Sequence, residues 1–178
     1  IIAAAKAKPE GVAYGTIGAG SLAHLAMSQI GNALDVKLTH VPYKGGGPFV
    51  NDAIAGHVPV AIASIALFSP HIQSRALRPL AATSAKRIAQ LPDTPTMDEL
   101  GMKGFSSASW MGIFVPSSTP EGTVRRFHDD LATVLSDPWV QERMTSMGVE
   151  LNVGSSVDLG NFVKAEMARW GDVVKRCN

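Results

Sequence analysis

Two hydrophobic periods divide the chain. Up to about residue 106, short apolar runs of strand length alternate with glycine-rich turns and helical stretches. Residues 12–14 predict a first strand, 15–20 a turn containing three glycines, and 21–34 a helix. Residues 36–41 predict a second strand, and 42–48 a second glycine-rich loop that opens a short helix ending before Gly56. The nearly all-apolar run 58–64 predicts a strand covered on both faces. A short helix over 69–74 and a fourth strand over 77–83 follow. Strands alternating with helices predict a parallel βαβ sheet. Thr96 and Glu99 have capping-box spacing and predict a helix start, and 107–115 predicts a further strand. Beyond it the period is helical. Thr119-Pro120 opens one helix carrying Val124, Phe127, Leu131 and Val134, and Asp137-Pro138 opens a second. A third begins near Ser155-Ser156 with Phe162, Met167 and Trp170 on one face.

This shift divides the chain into an α/β part, residues 1–106, and a helical part, 107–178, with too little sheet to stand alone. The opening Ile1-Ile2-Ala3-Ala4-Ala5-Lys6-Ala7-Lys8 favours helix but has no N-cap residue before it, so the chain is expected to enter mid-helix, as a fragment would. It has no signal-peptide pattern.

Composition narrows the function classes. With 178 residues, 46% hydrophobic and 17% charged, a packed core is expected and extended disorder is not. Sixteen Lys and Arg against fifteen Asp and Glu give no long-range attraction to nucleic acid or an anionic membrane. A lone cysteine, Cys177, excludes a disulfide scaffold, and no apolar run has the length of a membrane-spanning helix.

The candidate chemistry lies in the two glycine loops. Each follows the carboxyl end of a predicted strand and precedes a helix, so both lie along the sheet edge where α/β proteins bind ligands. Helix N-termini carry unpaired N–H groups and partial positive charge, and glycine lets an anion approach them. Thr16 and Ser21 supply hydroxyls and Lys44 a cation, which suits a carboxylate or phosphate. The plainer alternative is two tight βα turns with no ligand. Gly18-Ala19-Gly20-Ser21-Leu22-Ala23 also matches the dinucleotide fingerprint G-x-G-x-x-A, although Asp35 precedes the second strand instead of ending it. An α/β enzyme holding a dinucleotide on this loop is therefore the rival reading.

Catalytic patterns are thin. The five histidines form no H-E-x-x-H, and there is no nucleophile elbow and no P-loop. No catalytic residue, metal or cofactor is expected. His24, one turn into the first predicted helix, either faces a ligand or packs; Asp52 reads as a surface or capping charge.

Several stretches together resemble the Bug (Bordetella uptake gene) family, the receptors of tripartite tricarboxylate transporters. They are Tyr14-Gly15-Thr16-Ile17-Gly18-Ala19-Gly20-Ser21 with His24-Leu25, and Val41-Pro42-Tyr43-Lys44-Gly45-Gly46-Gly47-Pro48. Gly56-His57-Val58, Leu80 to Arg87, Leu91-Pro92-Asp93-Thr94-Pro95-Thr96, Ser109-Trp110-Met111-Gly112-Ile113-Phe114 and Arg169-Trp170-Gly171 add to these. The resemblance implies a two-lobed, periplasmic-binding-protein-like α/β fold that closes over a small carboxylate and docks on membrane transport subunits. It implies a periplasmic location, no nucleic-acid partner and no insertion into the membrane. Residues 1–106 would be the second lobe, nearly complete, and 107–178 the C-terminal part of a first lobe whose remainder is absent. The ligand-binding residues it implies are Thr16, Gly18, Ala19, Gly20, Ser21 and His24 on the first loop, Tyr43, Lys44 and Gly45 on the second, and Ser64 at the end of the third strand. Many members carry an acidic residue at that strand end, where this chain has Ala63-Ser64. A purely carboxylate or aromatic-acid ligand is thus expected over one with an amino group.

Overall fold

The computed structural model describes residues 5–7 and 11–177. The helix expected over 1–8 lies largely outside them. Three parallel strands in the order β2-β1-β3 form the sheet. They are β1 (Val12–Ile17), β2 (Leu38–Tyr43) and β3 (Val60–Ala61). Val12 pairs with Leu38 and Ile17 with Tyr43, so β1 and β2 end level. Tyr14 and Gly15 pair with Val60 and Ala61. The connections are α1 (Leu22–Leu34) and α2 (Gly46–Ala55), and β3 leads into α3 (Ile65–Gln73). An α/β fold with a parallel sheet is therefore present as expected.

Strand alternation sorts the core onto two faces. On one, Tyr14, Leu38, Val60 and Ile62 meet Ala26, Met27 and Ile30 of α1, together with Phe105. On the other, Tyr43, Ala61 and Ala63 meet Phe49 and Val50 of α2 and Phe68 of α3. Gly15 is required for the second face. A Cβ there would lie 2.6 Å from Cε2 of Phe49, whose side chain is fully buried.

Several expected boundaries move, each for a local reason. The first strand runs on to Ile17, because Gly15 and Thr16 stay in the ladder against Val41 and Pro42; the turn is only residues 18–20. The second strand is displaced to Leu38–Tyr43, since α1 ends in a left-handed Asp35 that absorbs residues 35–37. The third strand shrinks to Val60–Ala61, as it pairs with β1 alone. The helix expected over 69–74 begins earlier, at Ile65, and keeps Pro70 inside it. No fourth strand forms over 77–83; that stretch makes one isolated bridge, Ala82 to Thr96. Thr96 and Glu99 do form the capping box, with Thr96 N–H donating to Glu99 Oε2 (2.7 Å) and Glu99 N–H to Thr96 Oγ1 (3.2 Å). It closes one turn and no helix follows. Residues 107–115 form no strand, because no described strand lies beside them to complete a ladder.

The three late helices form as expected: α4 (Glu121–Leu135), α5 (Pro138–Ser146, capped by Asp137) and α6 (Ser156–Cys177). The chain divides into two compact units. One comprises the residues up to Ser109 with those from Trp170 onward, and the other is Trp110–Arg169. In the second unit neither α4 nor α5 has a buried residue. Its internal ties include an edge-to-face pair of Trp110 and Phe162, 5.2 Å between centroids, and a hydrogen bond of His128 Nε2 with Gly154 O.

Candidate functional site

Because the strands are parallel and adjacent, their carboxyl ends share one edge, and three helices begin there. Helix α1 starts after Ser21, α2 after Gly45 and α3 after Ser64. The starts of α2 and α3 are neighbours: a Cβ on Gly46 would lie 3.2 Å from Leu67 Cδ1 and 4.0 Å from Ile17 Cδ1. Helix N-termini converging on one edge make a positive, donor-rich rim.

The first loop is held from beneath. Gly18 and Gly20 have φ of +96° and +73°, a region costly for any other residue, while a Cβ on either would meet nothing within 4 Å. Glycine serves conformation here, and the outer side of the loop is open. Ser21 caps α1 by accepting from His24 N–H at 3.3 Å, which uses its oxygen and not its proton. Ala19 is exposed at the loop's tip.

Thr16, expected as a hydroxyl aimed at a ligand, is fully buried below the loop. Its Oγ1 donates to Gly18 O (3.0 Å) and lies 2.7 Å from His40 Nε2. A hydroxyl has one proton, and Gly18 takes it, so His40 Nε2–H donates to Thr16. His24, weighed as facing a ligand or packing, here binds its own loop. Its Nδ1 accepts from Gly20 N–H at 3.0 Å, and its ring stacks on His40 at 4.0 Å between centroids, 12° from parallel. Tyr14 lies 5.1 Å from His40 and 6.5 Å from His24, so the three rings form a triangle. Burial, and secondarily the nearby His24, hold the His40 pKa below the ordinary histidine value.

On the second loop Lys44 is exposed, and Gly45 has extended backbone (φ 173°) with open space around it. The Tyr43 hydroxyl donates to Asp52 Oδ2 at 2.9 Å, and Asp52 Oδ1 pairs with His57 Nδ1 at 3.2 Å. Asp52, expected as a surface or capping charge, thus orients a loop residue. Burial first, then the bond to Asp52, raises the Tyr43 pKa; the bonds from His57 and then Tyr43 lower that of Asp52. Ser64 is exposed at the start of α3 and makes no side-chain cap.

Sequence reasoning did not single out His40, whose link to Thr16 spans 24 positions. The only available signal was its alternation on β2. The edge lacks the acid a dinucleotide ribose would need, since β2 closes on Pro42 and Tyr43, so the dinucleotide reading is not favoured. Among the described residues no group of three or more His, Cys, Asp or Glu could hold a metal, and no helix is long and apolar enough to cross a membrane.

Comparison with known proteins gives a consistent picture. The family "Tripartite tricarboxylate transporter family receptor" matches residues 1–178. A UPF0065 protein of the tcbD-tcbE intergenic region of Pseudomonas sp. (strain P51) is 32% identical over 175 residues, covering 98% of this chain and 52% of that protein. The solved structure of R. palustris Rpa4515 with adipate is 33% identical, with a TM-score of 0.90 over 99% of this chain and 59% of its own. The periplasmic binding protein BugD is 31% identical, with a TM-score of 0.81 over 99% of this chain and 60% of its own. The chain therefore spans between half and three-fifths of the length of these three relatives.

Proposed function

The chain belongs to the tripartite tricarboxylate transporter receptor family, and from that premise we propose that it is part of an extracytoplasmic receptor that captures a small organic carboxylate and is not an enzyme. The observation that carries this reading is the shared edge of β1, β2 and β3, where α1, α2 and α3 all begin. A carboxylate there meets backbone N–H groups and three helix dipoles. Gly18, Ala19, Gly20, Ser21, Tyr43, Lys44, Gly45 and Ser64 line or frame that edge, and Thr16 and His24 support it from below. A near-neutral chain, formally +1, is no obstacle, because helix N-termini bind anions without a basic protein.

We take the α/β part, residues 1–106, as the second lobe of a two-lobed receptor and residues 107–178 as part of its first. Ligand contacted by both lobes favours the closed form, and that form docks on membrane transport subunits in the periplasm. The adipate in the R. palustris relative supports a dicarboxylate as the first ligand to try. In calorimetry of the intact receptor, a panel of dicarboxylates including adipate is expected to yield at least one saturable binding isotherm, and NAD none. Binding of NAD with no response to any carboxylate would overturn the reading.

A further inference from the structure

Two hydrogen bonds fix how the first loop presents its peptide groups. Gly18 O is drawn down onto the buried Thr16 hydroxyl. The following peptide bond is planar and trans, so its carbonyl and N–H point in opposite directions. If Gly18 O faces the buried side, Ala19 N–H faces the open rim. Gly20 N–H, in contrast, is turned to His24 Nδ1. Thr16 can hold Gly18 O only while its single proton points there, and His40 Nε2–H enforces this by occupying the hydroxyl oxygen as donor. His40 is in turn held by two ring contacts, with His24 stacked on it at 4.0 Å and Tyr14 beside it at 5.1 Å.

We propose that His40 is a positioning residue which, through Thr16, sets the Gly18–Ala19 peptide so that Ala19 N–H is the first loop's donor to the ligand carboxylate. This rests on the receptor reading above. His40 touches no ligand itself. It selects the orientation of one peptide by the tautomer it holds, with the proton on Nε2.

The test uses the intact receptor, with adipate, or whichever dicarboxylate of the panel binds the wild type, as the probe. His40→Phe keeps a flat ring in the stack and removes the donor. His40→Gln places an N–H near the position of Nε2. Thr16→Val breaks the relay at its other link with little change in shape. His40→Phe and Thr16→Val are each expected to weaken binding about tenfold, the size of one hydrogen bond lost from a preorganised site. The double variant should be no weaker than either single one, because both remove the same link. His40→Gln should bind within about threefold of wild type, a rescue that a purely packing role does not give. In proton–nitrogen spectra the wild-type His40 should carry its proton on Nε2, and the Ala19 amide should move on saturation with the probe.

Wild-type affinity in His40→Phe, equal loss in His40→Phe and His40→Gln, or an unmoved Ala19 amide at saturation would overturn the positioning role while leaving the receptor reading intact. A wild type that binds no member of the panel overturns the receptor reading itself, and the positioning role with it. Circular dichroism of each variant separates loss of fold from loss of binding, and Thr16→Val carries the test if His40→Phe does not fold.

Discussion

At the scale of single residues, the candidate edge is organised by side chains that do not reach it. Thr16 and His40 act from below the first loop, and Asp52 acts on Tyr43 from within α2. Asp52 also makes a testable pH dependence. Its pKa is lowered in the folded protein by bonds from His57 and Tyr43. A lowered carboxyl pKa means that ionised Asp52 stabilises the fold above its ordinary value of 3.8, and that this contribution is lost as pH falls below it. In wild type the denaturant midpoint should therefore drop as pH falls below 3.8. In Asp52→Asn the drop should be smaller; equal slopes would show that these bonds do not persist in solution. None of these links was legible in the sequence. Glycines and Ser21 announce a loop-to-helix entry through local chemistry, whereas Thr16–His40 depends on strand register, which no local pattern encodes.

Secondary-structure elements divide by whether their determinants are local. Helices α4, α5 and α6 follow from helical spacing and start signals such as Asp137-Pro138, and all three were legible. Strands need partners, and the sequence says little about partners. The run 58–64 is apolar enough for a longer strand but meets only Tyr14 and Gly15, so β3 is two residues long. Residues 77–83 and 107–115 have strand composition and no ladder. Gly15 marks where local and tertiary signals conflict. It reads as turn, yet it lies mid-strand because the buried Phe49 ring of α2 occupies the space a side chain would need. Gly15→Ala should therefore cost about 1–3 kcal/mol of folding stability through overpacking. Combining it with Phe49→Leu should recover part of that loss, since a smaller side chain yields the space. Denaturant melts of the four proteins measure the coupling, and strict additivity would mean that the two residues do not compete.

On the scale of the molecule, the two units differ in how they cover apolar surface. Residues up to Ser109 bury Tyr14, Ala26, Phe49 and Phe105 on the two faces of one sheet. In the unit Trp110–Arg169, large apolar side chains remain open: Met111 is 87% exposed, Trp139 71% and Phe114 65%, with Ile113, Phe127, Val134 and Met167 also exposed. Soluble monomers rarely leave so many apolar groups uncovered within sixty residues of chain. The helices themselves are amphipathic by sequence, so their open faces are specified surfaces and not accidents of composition. Relatives such as the Pseudomonas and R. palustris proteins are longer, and further chain of the kind they carry would have a ready face to cover. Expressed alone, the 178 residues should therefore bind the dye ANS and sediment faster as concentration rises. A formal net charge of only +1 supplies little repulsion to keep copies apart. Replacing Phe127 and Trp139 with Ser should reduce both effects without lowering the melting temperature, because neither side chain is buried. A chain that stayed monomeric and dye-free at high concentration would show that these apolar faces find cover within the 178 residues themselves.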